Sequence, residues 1–490
     1  MHRLLRFGVG LVGFALFASS EVSAFDIVSR WNATQVNGGN LQRGMPTTLR
    51  WSIVPDGQSY QRSGNSNLIQ FLDDGWNVPA AQRVPNFTNR PWWTVINNAY
   101  AQFGRVSGIN MVYVPEQNAD GMDTGMEGDI RIGGENIDGT PGGALADNVF
   151  PDGGDMRIDT TREANGSVGS YFSTEPGLRN LIIHESGHGV GLGHADFVNN
   201  SAKAVMEGGL RTDIWGFQFD DVYALNRQYG DPREQGNGND ALATATTLGS
   251  YGANATASFG IDALDSVVNQ FDDDWLGIDG SSDTDYLKFS VTDKTFANIR
   301  LTPVGPTYNT PQQGEFNAAA QSDLVLQLFN HAPTFSLIAT ANQAGIGAAE
   351  TIASTLLSKP GDYLIRVRGT QDLNQFYRID LLLRELPIAG STADINLDGA
   401  TSVADWEQFL VHSFTDLSGL SPRQKFERGD LDQDGDNDRG DFLLFKSLFN
   451  AANGPNAFAQ LLGVPEPGAI SLAGIAAITA FALCRRSECR

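Results

Sequence analysis

Three of the chain's six histidines fall inside one stretch of eleven residues, His184-Glu185-Ser186-Gly187-His188-Gly189-Val190-Gly191-Leu192-Gly193-His194. On a helix, residues four apart share a face, so His184 and His188 present two imidazoles to one metal ion. Glu185 then stands beside that ion as a general base and not as a ligand. Gly191 is the place for the helix to stop, because glycine tolerates the left-handed conformation that swings the chain back and brings in His194 as a third ligand. Three protein ligands leave the fourth tetrahedral position to water, the arrangement of a hydrolytic site. A closed structural zinc site would need a fourth ligand, usually cysteine, and no cysteine precedes Cys484. A helix with surface histidines is the other reading of a bare five-residue match. The full spacing in a histidine-poor chain favours a single catalytic zinc.

The surrounding chain must supply a layer that holds this helix. Residues 47–54 alternate in polarity as a strand does, and 92–106 carry Trp93, Ile96, Ala99, Tyr100 and Phe103 at helical spacing. Residues 109–114 and 129–132 read as strands, which predicts an α/β layer ahead of the metal helix. That helix is expected to start near 176–178 and to end at Gly191. Residues 56–90, rich in Gly, Asn, Gln and Pro, read as an inserted loop.

Over 25–230 the order of motifs resembles the matrixin branch of the metzincin metalloproteases. Gly139-Thr140-Pro141-Gly142-Gly143-Ala144-Leu145-Ala146-Asp147 is similar to the family's glycine-rich segment and edge strand, and Gly154-Asp155-Met156-Arg157-Ile158-Asp159 to the strand that follows. Ala204-Val205-Met206, twelve residues after His194, is similar to the Met-turn. Phe219-Asp220-Asp221-Val222-Tyr223-Ala224-Leu225 and Tyr229-Gly230 resemble the closing helix. The resemblance implies a zinc endopeptidase in which Glu185 takes a proton from water and passes it to the leaving amine. It implies that Met206 forms a hydrophobic floor under the zinc. It further implies that an extended protein or peptide substrate binds by strand addition along Ala144, Leu145 and Ala146.

Departures from the family carry information too. Matrixins hold a second, structural zinc on histidines, but two of the aligned positions are Asp147 and Arg157, and no histidine lies between His2 and His184. One zinc is therefore expected. Asp138 and Asp159 align with calcium positions, with Glu163 nearby, so the resemblance implies one calcium there, against plain solvation of loop acids. Where the family has Pro and Tyr after the methionine, this chain has Glu207-Gly208-Gly209, which leaves the specificity pocket open. Neither a latency cysteine nor a prodomain is expected.

Beyond a Gly- and Asn-containing linker at 231–238, residues 239–387 read as all-β, with strands at 285–291, 323–329, 363–367 and 377–383. Asn239-Asp240-Ala241, Asp285-Tyr286 and Gly361-Asp362-Tyr363-Leu364-Ile365-Arg366-Val367 resemble the bacterial pre-peptidase C-terminal domain, a β-sandwich. Its role here is open between spacer and substrate binding. Residues 388–452 hold two calcium-loop patterns 36 residues apart: Asp394, Asn396, Asp398, Gly399, Ser402 and Asp405, then Asp430, Asp432, Asp434, Gly435, Asp438 and Asp441. Hard oxygen ligands at these positions, with glycine at the sharp turn, suit Ca²⁺. Each loop runs into an apolar helix, and the duplication resembles a type I dockerin, which implies two calcium ions and a cohesin-like partner. Val403-Ala404 and Arg439-Gly440 replace the small hydroxyl residues that dockerins often carry.

The two ends read as targeting. Arg3 and Arg6, an apolar core and Val22-Ser23-Ala24 form an export signal over 1–24. After a linker at 453–463, Val464-Pro465-Glu466-Pro467, an apolar run and a basic tail resemble a PEP-CTERM sorting signal over 464–490. That resemblance implies processing by an exosortase-type enzyme and delivery to the bacterial envelope or extracellular matrix. A tail anchor is the alternative, although the run is short of the ~20 residues that span a bilayer. The net charge of -24 argues against nucleic acid and suits divalent cations. Both cysteines lie in the tail, so metals and not disulfides are expected to reinforce the fold. The fold expectation is multidomain: an α/β metzincin-type protease, an all-β sandwich and a small α-helical paired calcium-loop module. The rival function is a calcium-stabilised surface adhesion or scaffold protein with an inactive protease domain.

Overall fold

The computed structural model describes residues 26–59, 64–116, 128–197, 202–310, 314–330, 336–384, 392–420 and 422–462. The expected export signal and sorting segment lie outside the described residues. Among the described residues no helix is long and apolar enough to cross a membrane. The chain forms two compact units, one ending at Leu383 and one starting at Arg384.

The first unit opens with the α/β layer. Strands β1 (Thr47–Ile53), β2 (Ile109–Tyr113), β3 (Ile130–Glu135), β4 (Ala146–Asn148) and β5 (Met156–Asp159) form one sheet in the order β2-β1-β3-β5-β4. All are parallel except β4, which runs antiparallel to β5 and ends the sheet. The six residues of β3 are all buried, as a central parallel strand covered on both faces should be. Residues 56–90 are not a plain loop: they carry helix α1 (Leu68–Gly75), whose Leu68, Phe71 and Leu72 are buried. Apolar side chains at helical spacing inside a Gly- and Asn-rich stretch hid this helix from a reading by composition. Helix α2 (Pro91–Val106) begins with proline in its first turn, where the missing N–H costs nothing. Its buried face includes Ile96, Ala99, Tyr100 and Phe103 as expected, but Trp92 is the buried tryptophan and Trp93 is half-buried. Trp51 of β1 stacks on Tyr100 with centroids 4.4 Å apart, which fixes α2 on the sheet.

The metal-motif helix α3 runs Glu175–Gly189, two residues shorter at its end than expected, with Val190 as its C-cap. Nearly every residue in it is buried, because α2, the edge strand β4 and its partner β5 pack against it. Helix α4 (Phe219–Tyr229) is buried along its whole length. Two partners account for this: the α/β core on one face and the second layer of this unit on the other.

That second layer is a pair of five-stranded sheets. One includes β6 (Thr284–Val291), in which Asp285, Leu287, Phe289 and Val291 point inward in strict alternation. The expected strands are present as Thr284–Val291, Leu324–Asn330, Gly361–Gly369 and Gln375–Arg384. The apolar core is continuous from α4 into this layer through Phe219, Tyr223, Trp275, Tyr308, Phe316 and Phe376. Tyr308 donates a 2.7 Å hydrogen bond to Asp220, and Asn374 donates to the carbonyl of Tyr223. The expected linker at 231–238 is folded: Pro232–Glu234 forms a 3-10 turn, and Asp231 and Glu234 are buried.

The second unit is a small helical body. Helices α5 (Val403–Val411) and α6 (Arg439–Asn453) pack Phe409, Phe445 and Phe449 around Phe426 and Phe458. Phe458 lies on a short helix, Ala457–Leu461, so the apolar core of this unit reaches into the expected 453–463 linker.

Candidate metal centre and active site

His184 and His188 project from one face of α3, and Gly191 turns the chain at φ +100° so that His194 returns to meet them. A side chain at 191 would strike the carbonyl oxygen of Ser29, 1.9 Å from where its Cβ would lie. Glycine is thus required twice, for the backbone and for the approach. The three histidines each offer a ring nitrogen within 4.8 Å of the others. His188 Nε2 and His194 Nε2 are 3.1 Å apart.

The outward nitrogens are already committed. His184 Nδ1 lies 2.7 Å from the carbonyl oxygen of Val205, and His188 Nδ1 lies 2.7 Å from that of Leu192. A carbonyl only accepts, so each Nδ1 carries the proton and each Nε2 turns a lone pair to the centre. Burial, with the neighbouring imidazoles adding, lowers the pKa of His184 to about 4, and burial lowers that of His188. Neutral imidazoles with convergent lone pairs form a donor set that fits a borderline-soft divalent metal.

Glu185 is 6% exposed and its carboxyl is pushed up to about 8, first by burial and then by the charge of Asp147. Its backbone carbonyl accepts a 2.8 Å bond from Asn148 Nδ2, which ties α3 to the edge strand β4. Met206 packs under the helix at Gly187, where a Cβ would lie 2.3 Å from its sulfur. The turn carrying Met206 is held from below: Asp221 on α4 accepts from Val205 N at 2.8 Å and Met206 N at 3.3 Å while it caps its own helix.

A cleft of about 720 Å³ runs across this centre. His184, Glu185, His188 and His194 line it, as do Ala144, Leu145 and Ala146 on one side and Gly208, Gly209 and Leu210 on another. Among the described residues no strand pairs with β4 beyond β5, and Ala146, Asp147 and Asn148 of β4 line the cleft. Glu207 turns aside to pair with Arg211 at 3.0 Å.

Sequence reasoning missed three supports. Asp221 was legible as the fourth residue of a Gln218-to-Asp221 capping box but carried no assigned role. Asn148 gave no signal, because its bond goes to backbone. The first described residues also brace the turn: Gly193 N donates to Asp26 O at 2.7 Å, and Ile27 bridges Leu192.

The other predicted ligands divide into three cases. Asp138 spends its carboxylate on the N–H groups of Thr140 and Ala144, and Asp159 on those of Ile137 and Thr161. Among the described residues these two acids do not fall in a metal-holding group with Glu163. In the second unit, Asp430, Asp432 and Asp441 converge, as do Asp434, Asp436 and Asp441. Asp436 was not among the expected side-chain ligands. Asp438 caps α6, and Gly435 takes φ +105° at the turn. The first loop is wrapped by its own backbone: Asp394 accepts from Asp398 N and Gly399 N, Asn396 from Asp398 N, and Asp405 from Asn396 N and Ser402 N. Its acids are not brought into such a group.

No protein family model and no curated protein matches the sequence. Among solved structures, similarity is found to the pre-peptidase C-terminal domain of a collagenase from Bacillus anthracis. That similarity has 14% identity and a TM-score of 0.17, and covers 29% of this chain and 96% of that one.

Proposed function

We propose that the protein is an exported, zinc-dependent endopeptidase of matrixin type. The observation that carries this reading is the convergence of His184, His188 and His194 with two of their Nδ1 atoms already bonded to carbonyls, next to a buried carboxylate. When bound, zinc supplies a Lewis acid that lowers the pKa of water to near ~7 and polarises a carbonyl. The chain's own residues do the rest. The Glu185 carboxylate takes a proton from the attacking water on one oxygen and later delivers it to the leaving nitrogen. Ala144, Leu145 and Ala146 bind the substrate backbone along the open edge of β4, which selects unfolded or flexible protein segments. Glu207, Gly208 and Gly209 stand where the family has the Pro and Tyr of its specificity pocket, and Gly208 and Gly209 line the cleft.

The remaining modules fit the same picture: a pre-peptidase-type sandwich behind the catalytic layer, a dockerin-like pair of calcium loops, and a PEP-CTERM-like signal for an exosortase. The calcium loops take two Ca²⁺ ions, with a cohesin-like domain as the partner class.

The test uses the mature chain loaded with zinc and an unfolded protein substrate. One zinc per chain is expected in both wild type and Glu185→Gln, with hydrolysis reduced about 10²–10⁴-fold in the variant. An inert wild type with stoichiometric zinc would sink the enzymatic reading in favour of an adhesive or scaffolding role.

A further inference from the structure

The segment carrying Met206 has no helix or strand of its own: residues 203–210 are irregular. It nevertheless fixes two of the three histidines. Val205 O accepts from His184 Nδ1 at 2.7 Å, and Met206 O accepts at 2.9 Å from the N–H of Ala195, the neighbour of His194. Asp221 holds this segment in place, since its carboxylate accepts from Val205 N at 2.8 Å and from Met206 N at 3.3 Å. Where His184 and His194 stand is therefore set by where the first turn of α4 stands. A metal centre tolerates only ~0.5 Å of misplacement.

The start of α4 is gripped from the sandwich side at two points. The first is Gln218, the buried N-cap, whose N–H donates to Asp221 Oδ2 at 2.8 Å. Its side chain pairs with Val268 in both directions: Nε2 donates to Val268 O at 3.1 Å, and Oε1 accepts from Val268 N at 3.2 Å. Such an exchange of two bonds is that of a strand pair, and it fixes distance and orientation together. Val268 sits in the loop at 260–276, which Asp262 and Asp274 close by accepting from the N–H groups of Asp273, Asp274, Gly260 and Ile261. The second point is Tyr308, on an antiparallel pair, Thr307–Thr310 with Gly314–Asn317, that stands outside the two five-stranded sheets. Its hydroxyl donates to Asp220 at 2.7 Å. Its ring meets Phe219 on α4 and Phe197, just past His194, at centroid distances of 6.2 and 5.9 Å. Val268, Trp275, Tyr308 and Phe316 belong to the apolar core of the catalytic layer, whereas Leu287, Phe289, Leu326 and Ile365 form a separate core inside the sandwich.

We infer, on the metal reading of the three histidines, that the sandwich positions the metal centre: Val268, through Gln218, and Tyr308, through Asp220, set the start of α4 and with it the Met206 segment, His184 and His194. Neither Val268 nor Tyr308 lines the cleft, so both are positioning residues. The residue types follow from the contacts. Val268 presents a donor and an acceptor, which the amide of glutamine answers; glutamate lacks the donor, and leucine lacks both. Tyrosine at 308 joins a ring that packs on Phe197 and Phe219 to a hydroxyl that partners a buried carboxyl. The sandwich is then part of the catalytic unit and not a spacer behind it.

The test uses the full chain with Gln218→Leu and with Tyr308→Phe, and Ile365→Val as a control that loosens the sandwich core and touches neither point. Zinc affinity is measured by competition with a chelator, well below every thermal transition. Ligand geometry is read from the visible absorption of cobalt(II) in place of zinc. Both variants should bind zinc about 10-fold more weakly and shift the cobalt spectrum. Ile365→Val should match the wild type in both readouts. A folded Gln218→Leu or Tyr308→Phe chain that matches the wild type in affinity and spectrum overturns the inference. So does a control that moves the centre as far as they do, since the effect then follows stability and not position. If Gln218→Leu does not fold, Tyr308→Phe decides alone. A wild type that holds no stoichiometric metal overturns the zinc reading and this inference together, whereas unchanged variants of a zinc-binding wild type overturn this inference only.

Discussion

Arg157 shows how one side chain changes the chemistry of an edge. It lies opposite Asp147 on the antiparallel β4–β5 pair, where the matrixin resemblance sets histidines of a structural zinc. Its guanidinium reaches Glu135 at 2.8 Å and also bonds Asp147, so a cation of the chain's own holds the edge strand. The two partners are not equivalent. Glu135 has a side chain 10% exposed, whereas that of Asp147 is 36% exposed and solvent-screened. Arg157→Ala should therefore cost about 1–3 kcal/mol, because it strands a buried carboxylate. Asp147→Asn should cost no more than ~1 kcal/mol. Urea denaturation of both variants checks the difference; equal effects would mean that Glu135 is not the partner that matters.

At the scale of elements, the turn after α3 is the joint on which the candidate site depends. Gly191→Ala should cost about 1–2 kcal/mol for the left-handed backbone, and about 1–3 kcal/mol more for overpacking against Ser29. The variant should also lose bound zinc, measured by metal content after dialysis. Zinc retained at one per chain would show that His194 reaches the site without this turn. The helix, its histidines and the glycine were legible because spacing alone encodes them. What braces them was not: Asp26 and Asn148 act through backbone groups, and Asp221 reaches the Met206 turn only once α4 is docked. Helix α1 and the folded 231–234 turn were hidden for another reason, since composition reports exposure and both become buried by long-range packing. Asp221 also carries a pH signature. Burial raises its pKa to about 7 from an unfolded value of ~3.9, so the folded state binds the extra proton between those values. Its contribution is fullest below pH ~4 and falls as pH rises towards about 7. The urea midpoint of wild type minus that of Asp221→Asn should therefore shrink from pH 4 to pH 7. A constant difference would assign no titration to this residue.

For the whole molecule, charge and divalent cations belong to one argument. A chain of net charge -24 repels itself, and any salt relieves that repulsion by screening. The loop at 430–441 concentrates acids more sharply than screening can address: Asp430, Asp432, Asp434, Asp436, Asp438 and Asp441 surround the start of α6, with Asp430 Oδ1 and Asp436 Oδ1 buried and without donors. Repulsion from these acids raises the pKa of Asp436 and Asp441, with desolvation as the larger cause in both. A bound Ca²⁺ supplies the opposite charge at close range and adds its binding energy only to the folded state. Millimolar calcium should thus increase helix content in the full chain, followed by circular dichroism, whereas sodium chloride at matched ionic strength should not. The part of that gain due to the second unit is the part lost in Asp430→Asn with Asp441→Asn. If sodium reproduces the calcium response, the acids of the second unit are a screened, solvated surface and the dockerin comparison loses its physical basis.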